Sequence, residues 1–191
     1  SYAQLGSLAQ NAIQRKKDED GLTVLDGATT SLSGAGTTLA AGVIAAAAYR
    51  ISSNATEPGN PPYRCVLHGF QIKDLYDELT AAIGSDNRSD INGITARVFE
   101  EGFRGKIAGV EVFEDGNITI DSTTDDAKGG VFAQEAIIMV QGRAPRTATV
   151  RREDIGGGAT VVYLYDEYAY GERSAGNWLY EILSDATAPT S

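Results

Sequence analysis

Apolar residues near the start of the chain recur at helical steps. From residue 2 to about residue 21, Leu5, Leu8, Ala9, Ala12 and Ile13 fall at mostly three- and four-residue steps, which predicts an amphipathic helix with a narrow stripe. Gly21 or Gly27 is expected to end it, and the charged run from Arg15 to Asp20 is expected to form a solvated face. A Gly/Ser/Thr linker covers residues 27–38. Residues 39–51 are rich in Ala, the strongest helix former, and predict a second helix whose small side chains suit close packing on a sheet. Pro58, Pro61 and Pro62 interrupt the pattern. YRCVLH (residues 63–68) reads as a short buried strand, and residues 70–83 read as a helix with Phe70, Leu75, Leu79 and Ala82 broadly on one side. Strand followed by helix is the pattern of an α/β layer. Residues 84–101 show no dominant period and read as a long loop holding a short helix or strand.

Strand-like stretches dominate the second half. GKIAGVEVF (residues 105–113) places Ala108, Val110 and Val112 on one face, so it predicts a strand with one apolar side. GGVFAQEAIIMVQ (residues 129–141) contains AIIMV, apolar on both sides, which predicts a central strand covered above and below. Between them lies the acidic, turn-prone EDGNITIDSTTDDAK, expected to be a solvated surface loop. Gly142 and Pro145 mark a shift in composition. Residues 147–151 alternate as a strand, EDIGGG (residues 153–158) is a flexible turn, and residues 159–174 form a long strand of β-branched and aromatic residues, together a hairpin. Residues 178–183 predict a last short strand, and 185–191 a polar tail.

Composition narrows the function. Twenty-six acidic against sixteen basic residues give a net charge of −10, which disfavours a surface built to neutralise nucleic-acid phosphates. Cys65 is the single cysteine and His68 the single histidine, so an intrachain disulfide, a cysteine-cluster metal site and a histidine triad are not expected. The longest small apolar run, residues 38–48, is far short of the roughly 20 residues of a membrane span, and no membrane partner is expected. The chain starts without Met or a signal-like layout, directly in a helical pattern, and reads as the middle of a longer protein. The sequons at Asn54, Asn87 and Asn117 are read as chance.

Candidate chemistry is thin. RSDING (residues 88–93) has part of a calcium-loop spacing, but Arg88 and Phe99 would stand at the first and twelfth ligand positions. Glu111, Glu114, Asp115, Asp121, Asp125 and Asp126 could hold a cation or form an acid/base pair; a solvated loop explains them more simply. The glycines at 156–158 lack the Lys and Ser/Thr of a phosphate loop, and Ser174 in GERSAG misses the nucleophile-elbow spacing by one residue. His68 reads as a strand-end hydrogen bonder, Cys65 as a core residue, and Tyr163, Tyr165, Tyr168 and Tyr170 as packing on a half-buried sheet. No catalytic residue, cofactor or metal is expected. Arg143, Arg146, Arg151 and Arg152 put four arginines within ten residues of an acidic chain. Either they line a solvated strand, or they meet acidic groups of a neighbouring copy in a charge-matched contact. On the second reading the subunit-interface candidates are these arginines with Glu153, Asp154, Glu114, Asp115, Asp125 and Asp126.

The order of pieces resembles the major capsid proteins of tailed bacteriophages, the Hong Kong 97-type fold. QLGSLAQNAIQRKKDEDGLTVLDG looks like the end of that family's spine helix, and YRCVLHGFQIKDLYDEL like its strand-then-helix, with Gly69 where Pro is common. GKIAGVEVFEDGNI and GGVFAQEAIIMVQGR resemble successive strands, and TATVRREDIGGGATVVYLYDEYAYGER the hairpin of the peripheral domain. The resemblance implies an α+β subunit with four parts. Residues 1–28 would be the spine helix of the peripheral domain, 29–143 the axial sheet-and-helix domain, 144–176 the peripheral hairpin, and 177–191 a return strand and tail. It implies a non-enzymatic coat protein that self-assembles as pentamers and hexamers into the icosahedral head of a tailed phage. Scaffold, portal and decoration proteins would be its partners, with double-stranded DNA enclosed but not tightly bound. The virion would be its location and the host cytoplasm its place of assembly. The family's N-terminal arm and extended loop have no counterpart in these residues. An encapsulin-like nanocompartment shares the implied fold, and a small carboxylate-dependent hydrolase is the alternative of another class.

Overall fold

The computed structural model describes residues 2–83, 105–174 and 176–190; the RSDING segment and the unreadable stretch 84–101 lie outside them. Helix α1 (Tyr2–Asp26) runs past Gly21 and ends at Gly27, whose N–H donates to the Thr23 carbonyl at 3.0 Å. Pairs at four-residue spacing, Arg15 with Glu19 and Lys16 with Asp20, support the helix in the turns just before the glycine. Helix α2 (Ala41–Ser52) follows, and its first turn takes its acceptors from α3 (Gly69–Ile83). The Leu39 N–H donates to Asp74 Oδ2 and the Ala41 N–H to Glu78 Oε2, at 3.3 and 2.7 Å. These side chains satisfy donors that a helix start otherwise leaves open, and they fix α2 beside α3.

Six strands form the main sheet: β1 (Ser31–Ser33), β2 (Tyr63–Leu67), β3 (Lys106–Ile107), β4 (Val110–Glu114), β5 (Asp126–Phe132) and β8 (Leu179–Asp185). Their order is β1-β8-β5-β2-β4-β3, with β1/β8 and β2/β4 parallel and the other pairs antiparallel. The main core joins Ile44, Ala47 and Ile51 of α2 and Leu75 of α3 to Cys65, Leu67, Val110, Val131 and Ile182 of the sheet. Along β5, alternate residues Lys128 and Gly130 meet α1. Lys128 pairs with Asp26, and a Cβ on Gly130 would come within 3.0 Å of Leu25. Gly129 is equally constrained, because a Cβ there would lie 2.4 Å from the Val66 carbonyl oxygen.

One polar side chain ties the sheet together from inside. Gln71 is fully buried; it accepts from the His68 N–H and donates to the Ala127 carbonyl and to Ser184 Oγ, at 3.1, 3.1 and 2.7 Å. It thereby joins the start of α3 to both β5 and β8.

The remaining two strands, β6 (Ile137–Arg152) and β7 (Ala159–Glu172), form a separate antiparallel ribbon. Three expectations are corrected here. GKIAGVEVF is not one strand: Ala108 and Gly109 take φ of 49° and 81°, the left-handed pair of a tight two-residue turn, and fold β3 back on β4. AIIMV is not a covered central strand. The chain turns at Glu135 (φ 66°), and β6 leaves the main sheet with Ile138, Met139 and Val140 exposed, Val140 by 62 %. The ribbon therefore begins at Ile137, earlier than the boundary expected at residue 144. The linker after α1 is also not featureless: Ser31–Ser33 adds a parallel edge strand to β8, and Gly36 N–H donates to Asp126 Oδ1 at 2.7 Å.

Candidate assembly surface

Strand alternation gives the β6–β7 ribbon two different faces. Val162, Leu164, Asp166, Tyr168 and Tyr170 point toward α1. Lys17 Nζ lies 2.5 Å from Asp166 Oδ2, Tyr168 Oη donates to Asp20 Oδ2 at 2.8 Å, and Gly21 lies under the Tyr170 ring. Asp166 has a side chain only 4 % exposed, and Gln141 donates to its other oxygen at 3.2 Å. The Lys17 ammonium holds the Asp166 carboxyl below its ordinary range. Burial, followed by the Asp20 carboxylate, pushes the Tyr168 hydroxyl up to about 12. The run from Arg15 to Asp20 is thus only partly a solvated face: Lys17 and Asp20 hold the ribbon on the helix.

The opposite face carries Val150, Tyr163 and Tyr165, all exposed, with Tyr163 and Tyr165 stacked at 6.1 Å. The Arg146 guanidinium lies 5.1 Å above the Tyr165 ring. Register shifts flank Arg143 on β6, and they bring its side chain to Glu167 at 3.2 Å. At the tip, Gly156, Gly157 and Gly158 all have positive φ, so the turn needs residues without a Cβ. Arg151 pairs with Glu153, and Arg152 makes a forked pair with Asp154 that lowers the Asp154 carboxyl's pKa. The structure therefore gathers Arg143, Arg146, Arg151, Arg152, Glu153 and Asp154 on one arm, with the carboxylates as the arginines' own exposed partners. Exposed pairs of this kind contribute about 0–1 kcal/mol, so exchanging them for a neighbour's carboxylates costs little.

The acidic segment before β5 does not act as one surface loop. Glu114 and Asp115 close β4 beside His68, while Asp125 (φ 55°) and Asp126 start β5. Asp126 is 4 % exposed and bound to Gly36, so it serves its own chain and is withdrawn from the surface candidates. Asp121 is a turn residue whose carboxylate accepts from Thr123 and Thr124, which lowers its pKa.

Among the described residues, the cysteine, the histidine and Ser174 sit in structural roles. Among the described residues no group of three or more His, Cys, Asp or Glu is placed to hold a metal. Burial pushes the Cys65 thiol far up, which suits a core residue. His68 Nδ1 accepts the Phe70 N–H at 3.2 Å, the strand-end role expected of it, and burial lowers its pKa. Ser174 Oγ lies 3.4 Å from Glu57 and receives the Asn177 amide, with no imidazole beside it.

No family model and no curated protein sequence matches the chain. Solved structures do. The acidic stable capsid of Helicobacter pylori bacteriophage KHP30 is similar over 93 % of this chain and 67 % of its own, with TM-score 0.63 and 13 % identity. The capsid of cyanophage P-SCSP1u is similar over 98 % and 67 %, with TM-score 0.66 and 15 % identity. The holo-SrpI encapsulin complex of Synechococcus elongatus PCC 7942 is similar over 100 % and 68 %, with TM-score 0.66 and 12 % identity. The chain thus spans about two thirds of the length of these proteins. A long helix, a mixed sheet covered by two helices and an extended two-stranded arm, matched over nearly the whole chain, identify its architecture as the Hong Kong 97-type capsid fold.

Proposed function

We propose that this chain is the major capsid protein of a tailed double-stranded-DNA phage and acts by self-assembly into an icosahedral head. The observation that supports it most is the β6–β7 arm. A two-stranded ribbon is marginal in water by itself, and this one packs on α1 along a single face while Val150, Ile155, Tyr163 and Tyr165 stay exposed. An apolar, arginine-bearing face of that kind suits burial against another copy. The functional division we propose is a peripheral part, made of α1 and the arm, and an axial part built on the six-stranded sheet. Pentamers and hexamers of such subunits would form the shell, with scaffold, portal and decoration proteins as partners and the host cytoplasm as the place of assembly. Arg143, Arg146, Arg151 and Arg152 with Glu153 and Asp154 would make the contacts of the arm, and Glu114, Asp115 and Asp125 would offer carboxylates on the sheet side. A net charge of −10 suits a container that does not hold its DNA tightly.

The similarity to an encapsulin favours a second reading, a shell around protein cargo. Particles purified from the native source and treated with nuclease separate the two. Protected duplex DNA of uniform length supports the phage head; particles holding a co-purifying enzyme and no DNA support the nanocompartment. A monomer with carboxylate-dependent hydrolase activity would contradict both.

A further inference from the structure

Between the first half of α1 and the arm lies a groove of about 370 Å³. Ile13 of α1 and Val162 and Leu164 of β7 give it apolar walls. The chain itself does not cover them: Ile13 and Leu164 are only half-buried, and Val162 is exposed by 37 %. Two cations line the groove, Lys17 and Arg146, and among the described residues no carboxylate does. Lys17 is held by Asp166, whereas Arg146 lies over the Tyr165 ring and, among the described residues, forms no ion pair.

The tip of the arm carries the complementary chemistry. Ile155 is 49 % exposed there, and Glu153 and Asp154 come directly before it. The Gly158 N–H donates to the Ile155 carbonyl at 3.0 Å, and the three glycines that follow Ile155 have positive φ, so this turn fixes the isoleucine at the far end of the ribbon. The present partners of the two carboxylates, Arg151 and Arg152, are exposed neighbours, and exposed pairs exchange at little cost. The tip cannot fill the groove of its own chain. The ladder runs unbroken from Thr147–Leu164, beside the groove, to Arg152–Ala159, five residues or roughly 16 Å further out at about 3.3 Å each. One chain thus bears an apolar knob with acidic flanks and an apolar socket with a cationic flank, too far apart to meet within it.

We infer that the arm tip of a second copy plugs this groove, with Ile155 entering between Ile13, Val162 and Leu164 and a carboxylate of Glu153 or Asp154 reaching Arg146. The knob and the socket are different surfaces of the same chain, so the contact is heterologous. Each copy gives one tip and receives another, and such contacts close into rings where the rotation between copies allows it. The inference rests on the self-assembly proposed above and names the two surfaces that would carry it.

Co-assembly of two versions of the full chain tests it, one with Ile155→Cys and the other, marked by a size tag, with Gln10→Cys or Gln14→Cys, both at the groove. Cys65 is buried and does not compete. Oxidation of the assembled particles should link the two chains into a heterodimer with at least one groove variant. No heterodimer should form when the tagged chain carries Tyr49→Cys instead, an exposed position on α2. Without any added cysteine, Ile155→Asp should lose the particles that Ile155→Leu keeps, and both should retain the wild-type circular dichroism because the side chain is exposed. Particles without a groove heterodimer, an equal yield of heterodimer with Tyr49→Cys, or Ile155→Asp assembling like wild type would overturn the plug and leave the capsid reading standing. A wild-type chain that forms no particles would overturn both.

Discussion

Gln71→Glu offers a severe test of how the main sheet is held together. The change keeps size and shape but replaces the Nε2 donor, which serves the Ala127 carbonyl and Ser184 Oγ, by an oxygen. Ionised, that oxygen would face a backbone carbonyl in a fully buried site, so the folded chain must keep the new carboxyl protonated. Holding a glutamate of ordinary pKa neutral at pH 7 costs about 1.36 × (7 − 4.3), or about 3.7 kcal/mol. A protonated carboxyl has one O–H where the amide had two N–H groups, so one hydrogen bond is also lost, about 1 kcal/mol. The sum is about 4–5 kcal/mol at pH 7, a large part of the total stability of an ordinary domain. The folded-state pKa is raised, so the penalty shrinks as pH falls, to about 1–2 kcal/mol relative to wild type near pH 4.5. Urea unfolding of the unassembled chain at both pH values, with wild type measured beside it and the slope unchanged, reads this directly. A loss below about 1 kcal/mol at pH 7, or one that does not depend on pH, would refute the role given to Gln71.

Three further outcomes follow from the same geometry. Gly129→Ala should destabilise the chain by about 3 kcal/mol or more, because its Cβ would meet the Val66 carbonyl at 2.4 Å and a backbone oxygen cannot move aside; thermal unfolding or loss of soluble expression checks it. Asp166→Asn should release the arm from α1, seen as faster proteolysis near the tip with the main sheet intact. In wild type the lowered Asp166 pKa means that this contact is present above the ordinary carboxylate range and weakens as pH falls through the folded-state value. Arg151→Glu with Arg152→Glu should leave circular dichroism unchanged and abolish particles in a sedimentation profile, since both side chains are exposed and, among the described residues, form ion pairs with their neighbours Glu153 and Asp154 alone.

The helices were readable because each has a period or composition that survives tertiary packing: the Leu5 to Ile13 stripe in α1 and the alanines of α2. Strand boundaries were less so, for two distinct reasons. Ala108–Gly109 and Glu135 take left-handed conformations inside stretches whose composition is that of strands, and a count of apolar residues does not register a turn. AIIMV has the composition of a buried strand, yet only Ala136 is in the core: Ile138, Met139 and Val140 lie exposed on the arm, where composition does not report position. The arginine cluster was visible as a density of one residue type. Lys17 and Asp20 were not separable from the charged run around them, because their partners Asp166 and Tyr168 stand nearly 150 residues away. Asp126 looks like the rest of its acidic segment in the sequence, and its role appears only where the Gly36 N–H reaches its carboxylate from 90 residues away. Gln71 offered one signal, a polar residue beside the apolar side of α3, but its partners on β5 and β8 stand 56 and 113 residues further along the chain.

Weak binding of duplex DNA at moderate salt is expected of the folded chain, given its charge, and tight salt-sensitive binding would count against a passive container. Cryo-electron microscopy of the full-length gene product tests the central claim most directly. The account predicts closed icosahedral shells in which the β6–β7 arm of each subunit lies against a neighbouring copy, burying Tyr163 and Tyr165. Particles that stay monomeric at every concentration, or shells in which that arm touches no other subunit, would contradict it.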